Sequence, residues 1–266
     1  TIWLGLLKEL ESGNYDISSL RAVLCGGSAA PKGIIREFEQ KYNISFMHGY
    51  GMTETSPLVV VSSLKSYQED LPYEEKLELR AKQGILVPGL EIKVVGKDGE
   101  VEWNGTEMGE LLIKGPWIAS EYYKDERTKD AFKDGWLHTG DIVTIDEEGF
   151  IKIVDRTKDL IKSGGEWISS VDLENALMGH EDVFEAAVIA VPHEKWQERP
   201  VACVVLKENA KATKEDLLEY LKPQFAKWWI PDDIIFMDEI PKTTVGKFLK
   251  RALREQIKAE LEKNKI

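Results

Sequence analysis

Arg21-Ala22-Val23-Leu24-Cys25-Gly26-Gly27-Ser28 and His48-Gly49-Tyr50-Gly51-Met52-Thr53-Glu54-Thr55 are two passages in which an apolar run stops at glycines. Each reads as a strand entering a tight turn. Between them Pro31 stands at a first helical position. Ile34, Ile35, Phe38 and Tyr42 supply one apolar face before residues 44–47 resume an extended run. Strand, helix, strand predicts a parallel α/β layer. Upstream, Ile2, Trp3, Leu6, Leu7 and Leu10 form a stripe at helical spacing that Ser12-Gly13-Asn14 breaks. Thr1 opens straight into that stripe with neither an initiator Met nor a cap, so the expectation is a chain that starts inside a longer protein.

Downstream, residues 65–82 are polar and Glu-rich, with Pro72 starting a surface helix and no chemistry in view. Residues 84–154 are short β-rich runs punctuated by Asp98-Gly99, Asn104-Gly105, Gly115-Pro116 and Asp146-Glu147-Glu148-Gly149. They predict a small, mostly antiparallel β subdomain. Beyond Asp155 come a Gly-rich turn, a helix near 171–178 and strands over 186–191 and 201–206. A helix follows behind the capping box Thr213-x-x-Asp216, and a basic amphipathic tail helix after Lys247. That order predicts an α+β domain.

Composition narrows the partners. The 266 residues hold 35 Lys and Arg against 47 Asp and Glu, a net charge of −12, which argues against nucleic-acid or anionic-membrane binding. No apolar run reaches the roughly 20 residues that span a bilayer. Cys25 and Cys203 lie in apolar runs without metal-ligand spacing and read as small core residues in a reducing compartment. The histidines are scattered without zinc spacing. The expected location is cytoplasmic.

Residues 48–55 carry the strongest chemical signal. Glycines allow close backbone approach, Tyr50 offers a flat face, Thr53 a donor for a phosphate oxygen, and Glu54 a hard oxygen ligand for Mg²⁺. Taken alone, the same residues read equally well as a Gly-rich turn around a buried tyrosine. Asp141 can accept from both hydroxyls of a ribose, or can be an ordinary turn residue after Gly140. Arg156 suits ribose or phosphate oxygens, or a surface pair with Asp155.

Five passages in one order resemble the acyl-adenylating superfamily, which includes acyl-CoA synthetases, peptide-synthetase adenylation domains and firefly luciferase. They are Gly26-Gly27-Ser28-Ala29-Ala30-Pro31, Tyr50 to Glu54, Trp136-Leu137-His138-Thr139-Gly140-Asp141, Asp155 to Glu166, and Pro241-Lys242-Thr243-Thr244-Val245-Gly246-Lys247. The resemblance covers essentially the whole chain and is nearest to bacterial and archaeal fatty-acyl-CoA synthetases. It implies a nucleotide pocket lined by Gly27, Ser28, Ala29, His48, Gly49, Tyr50, Gly51 and Thr53, with Asp141 and Arg156 on the ribose and Glu54 on Mg²⁺. Lys247 is implied as the adenylation lysine, acting with Thr53 and Glu54, and Lys158 as a hinge that also contacts the nucleotide. Lys162 and Trp167 would approach the adenylate, with Gly164 and Gly165 beside a coenzyme A tunnel. Ser170 stands where many relatives carry Pro, a change expected to loosen the helix start and to touch no chemical role.

The fold so implied is the end of a large adenylate-forming α/β domain (1–83), a β-barrel-like subdomain (84–157) and a mobile C-terminal α+β domain (158–266). The implied activity is AMP-forming ligation of a fatty acid to coenzyme A with Mg²⁺ and ATP, and a homodimer of the longer protein is possible. The family's Ser/Thr/Gly-rich phosphate loop ending in Pro-Lys has no counterpart in residues 1–266. The chain alone is therefore expected to be inactive. Two alternatives stay open: an adenylation domain that loads a carrier-protein thiol, and a non-catalytic nucleotide-binding fragment.

Overall fold

The computed structural model describes residues 2–27, 30–244 and 246–263, with side chains to Lys258. Compactness divides the chain into two units, Thr1–Val154 and Asp155–Ile266.

The first unit opens with α1 (Ile2–Ser12), β1 (Ala22–Gly26), α2 (Lys32–Arg36), β2 (Ser45–Tyr50), β3 (Val60–Val61), α3 (Tyr73–Ala81) and β4 (Ile85–Leu86). β1 and β2 pair in parallel, Gly26 opposite Gly49, so both glycine turns leave the same end of the sheet. β3 and β4 add antiparallel, which makes the four-stranded sheet mixed rather than wholly parallel. Val23 and Cys25 of β1 point to the core while Leu24 between them is exposed, the period-2 pattern of a strand covered on one face. Under that face Leu7, Ile35, Phe38, Phe46 and Leu77 pack together. Pro31, with φ fixed at −58°, starts α2.

β5 (Glu91–Gly96), β6 (Gly99–Glu100), β7 (Gly109–Lys114), α4 (Thr128–Ala131), β8 (Phe132–Lys133), β9 (Trp136–Ile145) and β10 (Ile151–Arg156) follow. Their sheet runs β10-β9-β7-β5-β6 with β8 on β9, and its described strands form no closed barrel, which corrects the expectation for 84–157. The physical reason lies in the core. Leu90, Val94, Leu111, Ile113, Val143 and Ile145 are covered by Tyr50, Val59 and Val60 from the preceding segment, so the sheet hides its apolar face without curling on itself.

The second unit contains β11 (Ile161–Ser163), β12 (Glu166–Ile168), α5 (Ser170–Met178), β13 (Val183–His193), β14 (Gln197–Leu206), α6 (Lys214–Leu221), β15 (Asp233–Phe236) and α7 (Lys250–Lys263). The sheet order is β12-β11-β14-β13, with β15 parallel to β14. Along β13 and β14 alternate residues enter different cores. Ala186, Val188, Ala202 and Val204 meet Leu173, Leu177, Leu217 and Leu221 of α5 and α6, while Ala187, Ile189, Cys203 and Val205 meet Leu253 and Ile257 of α7. Helices on both faces account for the nearly continuous apolar runs in these strands. β13 extends past the expected 186–191 through Pro192, which is tolerated because β13 lies at the edge of its sheet. The capping box forms as read, Thr213 Oγ1 accepting from Asp216 N and Asp216 Oδ2 from Thr213 N.

Among the described residues no helix is long and apolar enough to cross a membrane.

Candidate functional site

In the first unit the two glycine turns sit side by side where β1 and β2 end, the sheet edge at which α/β folds bind ligands. Gly27 is described, with φ +90°, whereas Ser28 and Ala29 lie outside the described residues. After Tyr50 the chain makes one tight turn, Thr53–Thr55. Thr55 is fully buried and fixes that turn: its Oγ1 accepts from Met52 N at 2.9 Å and lies 2.8 Å from Pro57 O. Thr53 is left exposed and Glu54 half-buried. Gly51 is required by packing, since a Cβ there would lie 1.6 Å from the Pro57 carbonyl oxygen.

Tyr50 and Asp141, 91 residues apart, meet directly: the Tyr50 hydroxyl donates to Asp141 Oδ2 at 2.6 Å, and both residues are buried. A β-bulge aims Asp141. Glu110 of β7 opposes Ile142 and Leu112 opposes His138, so Thr139, Gly140 and Asp141 together face Leu111 alone. Gly140 takes φ +69°, its N–H donates to Glu110 Oε1 at 3.0 Å, and Thr139 Oγ1 donates to Leu111 O at 2.7 Å. Glu54 gains a partner that sequence reading missed, the Tyr122 hydroxyl donating to Oε1 at 2.6 Å. That bond to a carboxylate raises the Tyr122 pKa. His48 is buried, and its N–H donates to Ser62 Oγ at 2.7 Å. Nothing local in the sequence marks Glu110, Tyr122 or Ser62.

In the second unit Ser163 and Glu166 close a two-residue turn in which Gly164 and Gly165 both have positive φ, +61° and +92°. That is the geometry of the favoured β-hairpin turn. Lys162 and Trp167 stand opposite each other across this hairpin, on one face. A Cβ on Gly165 would meet nothing within 4 Å, whereas one on Gly164 would press Trp196 at 2.9 Å. Arg199 backs the hairpin. It donates to Ser163 Oγ, to the carbonyls of Trp228 and Ile230, and to Asp232.

Arg156 and Lys158 are exposed in a turn closed by Asp159 N and Leu160 N donating to Arg156 O. Lys247 is exposed on a hairpin-like loop, where Thr243 N donates to Lys247 O at 2.8 Å and Leu249 N to Pro241 O at 2.7 Å. Neighbouring Lys242 is instead drawn to the buried carboxylate of Glu185 at 2.6 Å. Ser169 caps α5 as read, accepting from Asp172 N at 3.0 Å. Ser170 makes contacts that the sequence did not point to. Its hydroxyl donates to Asp155 Oδ2 at 2.5 Å and accepts from Lys250 Nζ at 2.5 Å. Its N–H also donates to Asp155, at 2.7 Å.

Among the described residues no group of three or more His, Cys, Asp or Glu is arranged to hold a metal ion.

A glycine-turn pair at the end of parallel strands, a Tyr–Asp contact beside it and a second unit that presents a lysine loop define the adenylate-forming class of fold. The chain belongs to the AMP-binding enzyme family, whose main domain matches residues 1–123 and whose C-terminal domain matches 172–247. It is 53% identical over 262 residues to a long-chain-fatty-acid–CoA ligase of Thermus thermophilus, covering 97% of this chain and 48% of that protein. It is 41% identical over 256 residues to a medium-chain-fatty-acid–CoA ligase of Ectopseudomonas oleovorans, covering 96% and 47%. Among solved structures, o-succinylbenzoate CoA synthetase of Bacillus subtilis with its acyl-adenylate intermediate superposes with a TM-score of 0.78 at 34% identity, covering 94% of this chain and 49% of that one. The same enzyme with ATP and a magnesium ion gives 0.78 at 32%, covering 95% and 49%. The chain thus spans about half the length of the relatives it matches.

Proposed function

We propose that the protein carrying this chain is an AMP-forming fatty-acid:CoA ligase located in the cytoplasm. The observation that carries this reading is the Tyr50–Asp141 hydrogen bond, which joins two of the five motifs at the end of the parallel strands. The fatty-acid substrate is favoured by the likeness to long- and medium-chain ligases.

In the first half-reaction a carboxylate oxygen attacks the α-phosphorus of ATP and the bond to pyrophosphate breaks, giving acyl-AMP. Gly27, Ser28, Ala29, His48, Gly49, Tyr50 and Gly51 would line the nucleotide, and Thr53 would donate to a phosphate oxygen. Asp141 would accept from the ribose. Its Oδ2 already accepts the Tyr50 hydrogen bond, but a carboxylate oxygen has a second lone pair. Arg156 would add donors. Lys247, exposed at its loop, would bridge carboxylate and α-phosphate and neutralise charge as it develops on phosphorus. Glu54 fits Mg²⁺ entering with ATP, because this ion needs only one or two carboxylates beside phosphates and water. When bound, the ion neutralises phosphate charge. In the second half-reaction the CoA sulfur attacks the acyl carbon and AMP leaves. We assign the change between the steps to rotation of residues 158–266 at Lys158, which brings Lys162, Trp167 and the Gly164–Gly165 hairpin to the adenylate.

Lys247→Ala in the full-length protein should slow fatty-acid-dependent ATP–pyrophosphate exchange by about 10²- to 10³-fold, the scale of one lost electrostatic stabiliser. Thiolysis of supplied acyl-AMP should survive. Equal loss of both steps would sink the assignment. The 266-residue chain by itself should give no exchange.

A further inference from the structure

Lys250 is the first residue of α7, where the helix dipole disfavours a cation, yet its side chain is only 11% exposed. Its ammonium lies 2.6 Å from Glu174 Oε1 and 2.5 Å from Ser170 Oγ, and that hydroxyl continues to Asp155 at 2.5 Å. Glu174, itself buried, also accepts from Val188 N at 2.8 Å and so satisfies an N–H on the edge strand β13. One buried chain of charges thus ties the starts of α5 and α7, the edge of β13 and Asp155. Burial disfavours the charge of Lys250, but Glu174 and Asp155 outweigh it and leave its pKa above the ordinary lysine value.

A buried ion pair is weak as a source of stability, since an apolar pair of similar volume often does as well. What it supplies is register. Lys250 lies three residues beyond Lys247, just after the closing contact of Leu249 N on Pro241 O. One turn further along α7, Arg254 pairs with Asp159 at 2.8 Å. Asp155 and Asp159 flank Arg156 and Lys158. The base of the lysine loop is therefore tied to Glu174 and, through Ser170, to Asp155, and the next turn of α7 to Asp159.

We propose that Lys250 is a positioning residue for Lys247: Glu174 and the Ser170–Asp155 bridge hold the base of the lysine loop in register with the start of α5. This rests on the reading of Lys247 as the adenylation lysine. The Gly164–Gly165 hairpin is anchored separately, through Arg199 and Trp196, so the effect is specific to adenylation.

The test uses Lys250→Met, Lys250→Arg and Ser170→Ala in the full-length protein, with Lys247→Ala in parallel. ATP–pyrophosphate exchange and thiolysis of supplied acyl-AMP are measured on folded protein. Lys250→Met should lower the kcat of exchange about 10- to 100-fold, the cost of a misplacement on the order of 1 Å, with KM for ATP and thiolysis unchanged. Lys250→Arg should restore most of the exchange, and Ser170→Ala should lose about threefold, one modest hydrogen bond. Exchange unchanged in Lys250→Met, or both half-reactions falling in proportion, overturns the proposal. Where Lys250→Met does not fold, Ser170→Ala decides: a selective loss of exchange supports the proposal and an unchanged ratio of the two rates overturns it. Equal loss of both steps in Lys247→Ala instead strikes the reading of Lys247 on which the proposal rests.

Discussion

The loop after β2 in the first unit and the loop before α7 in the second present their candidate residues by different means. Around Thr53 and Glu54 the holding groups are largely neutral: the buried Thr55 hydroxyl, the Tyr122 phenol and the contact of Gly51 on Pro57. Around Lys247 they are charges, Lys242 on Glu185 before the loop and Lys250 on Glu174 after it. Ion pairs of the first unit such as Arg36–Glu74 and Lys41–Glu11 lie on the surface, where they contribute little. That turn is locked by a local hydroxyl and a glycine contact, with one distant phenol on Glu54. The loop before α7 closes on its own backbone as well, but long charged side chains on either side of it also reach other elements.

The largest effect that would break this contrast is in the second unit. Glu174→Leu leaves Lys250 buried with its nearest carboxylate gone, and denaturant unfolding should show a loss of about 3–5 kcal/mol. A change below about 1 kcal/mol, the range of an exposed pair, would place Lys250–Glu174 with the surface pairs. Gly51→Ala tests the other side. Its Cβ must displace the Pro57 carbonyl, and overpacking of this kind costs about 1–3 kcal/mol, read as a lowered melting temperature. The smallest effect is on pH dependence. Because Lys250 is raised above 10.5 in the folded state, its contribution is fully present below that pH and is lost as pH rises through the folded value. Stability of the unsubstituted protein should therefore fall more steeply above pH 10.5 than that of Lys250→Met. Parallel curves would remove Lys250 from the account.

Much of the local structure was legible. Pro31, the Ser169 cap and the Thr213–Asp216 box mark helix starts because each acts on backbone groups within three or four residues. Gly140 and the Gly164–Gly165 pair stand where backbone angles demand them, so the turns beside Asp141 and Lys162 could be placed from residue type. Less legible was how sheets end. The runs between 84 and 156 alternate as strands of a barrel or of an open sheet would, and the cover supplied by Tyr50, Val59 and Val60 decides between them. The contacts of Ser170 were not legible for the same reason, since they include Lys250, 80 residues away.

What the sequence by itself determined is the order of five motifs, the β–α–β start and the residue types present at each turn. Hydrogen-bonding habits and side-chain periodicity act over a few residues and can be read along the chain. Only the tertiary structure decided which groups meet: Tyr50 with Asp141 across 91 positions, Glu54 with Tyr122 across 68, and Arg254 with Asp159 across 95. Such contacts follow from the packing of whole elements, where burial makes an unpartnered polar group expensive and selects the pairings that satisfy it.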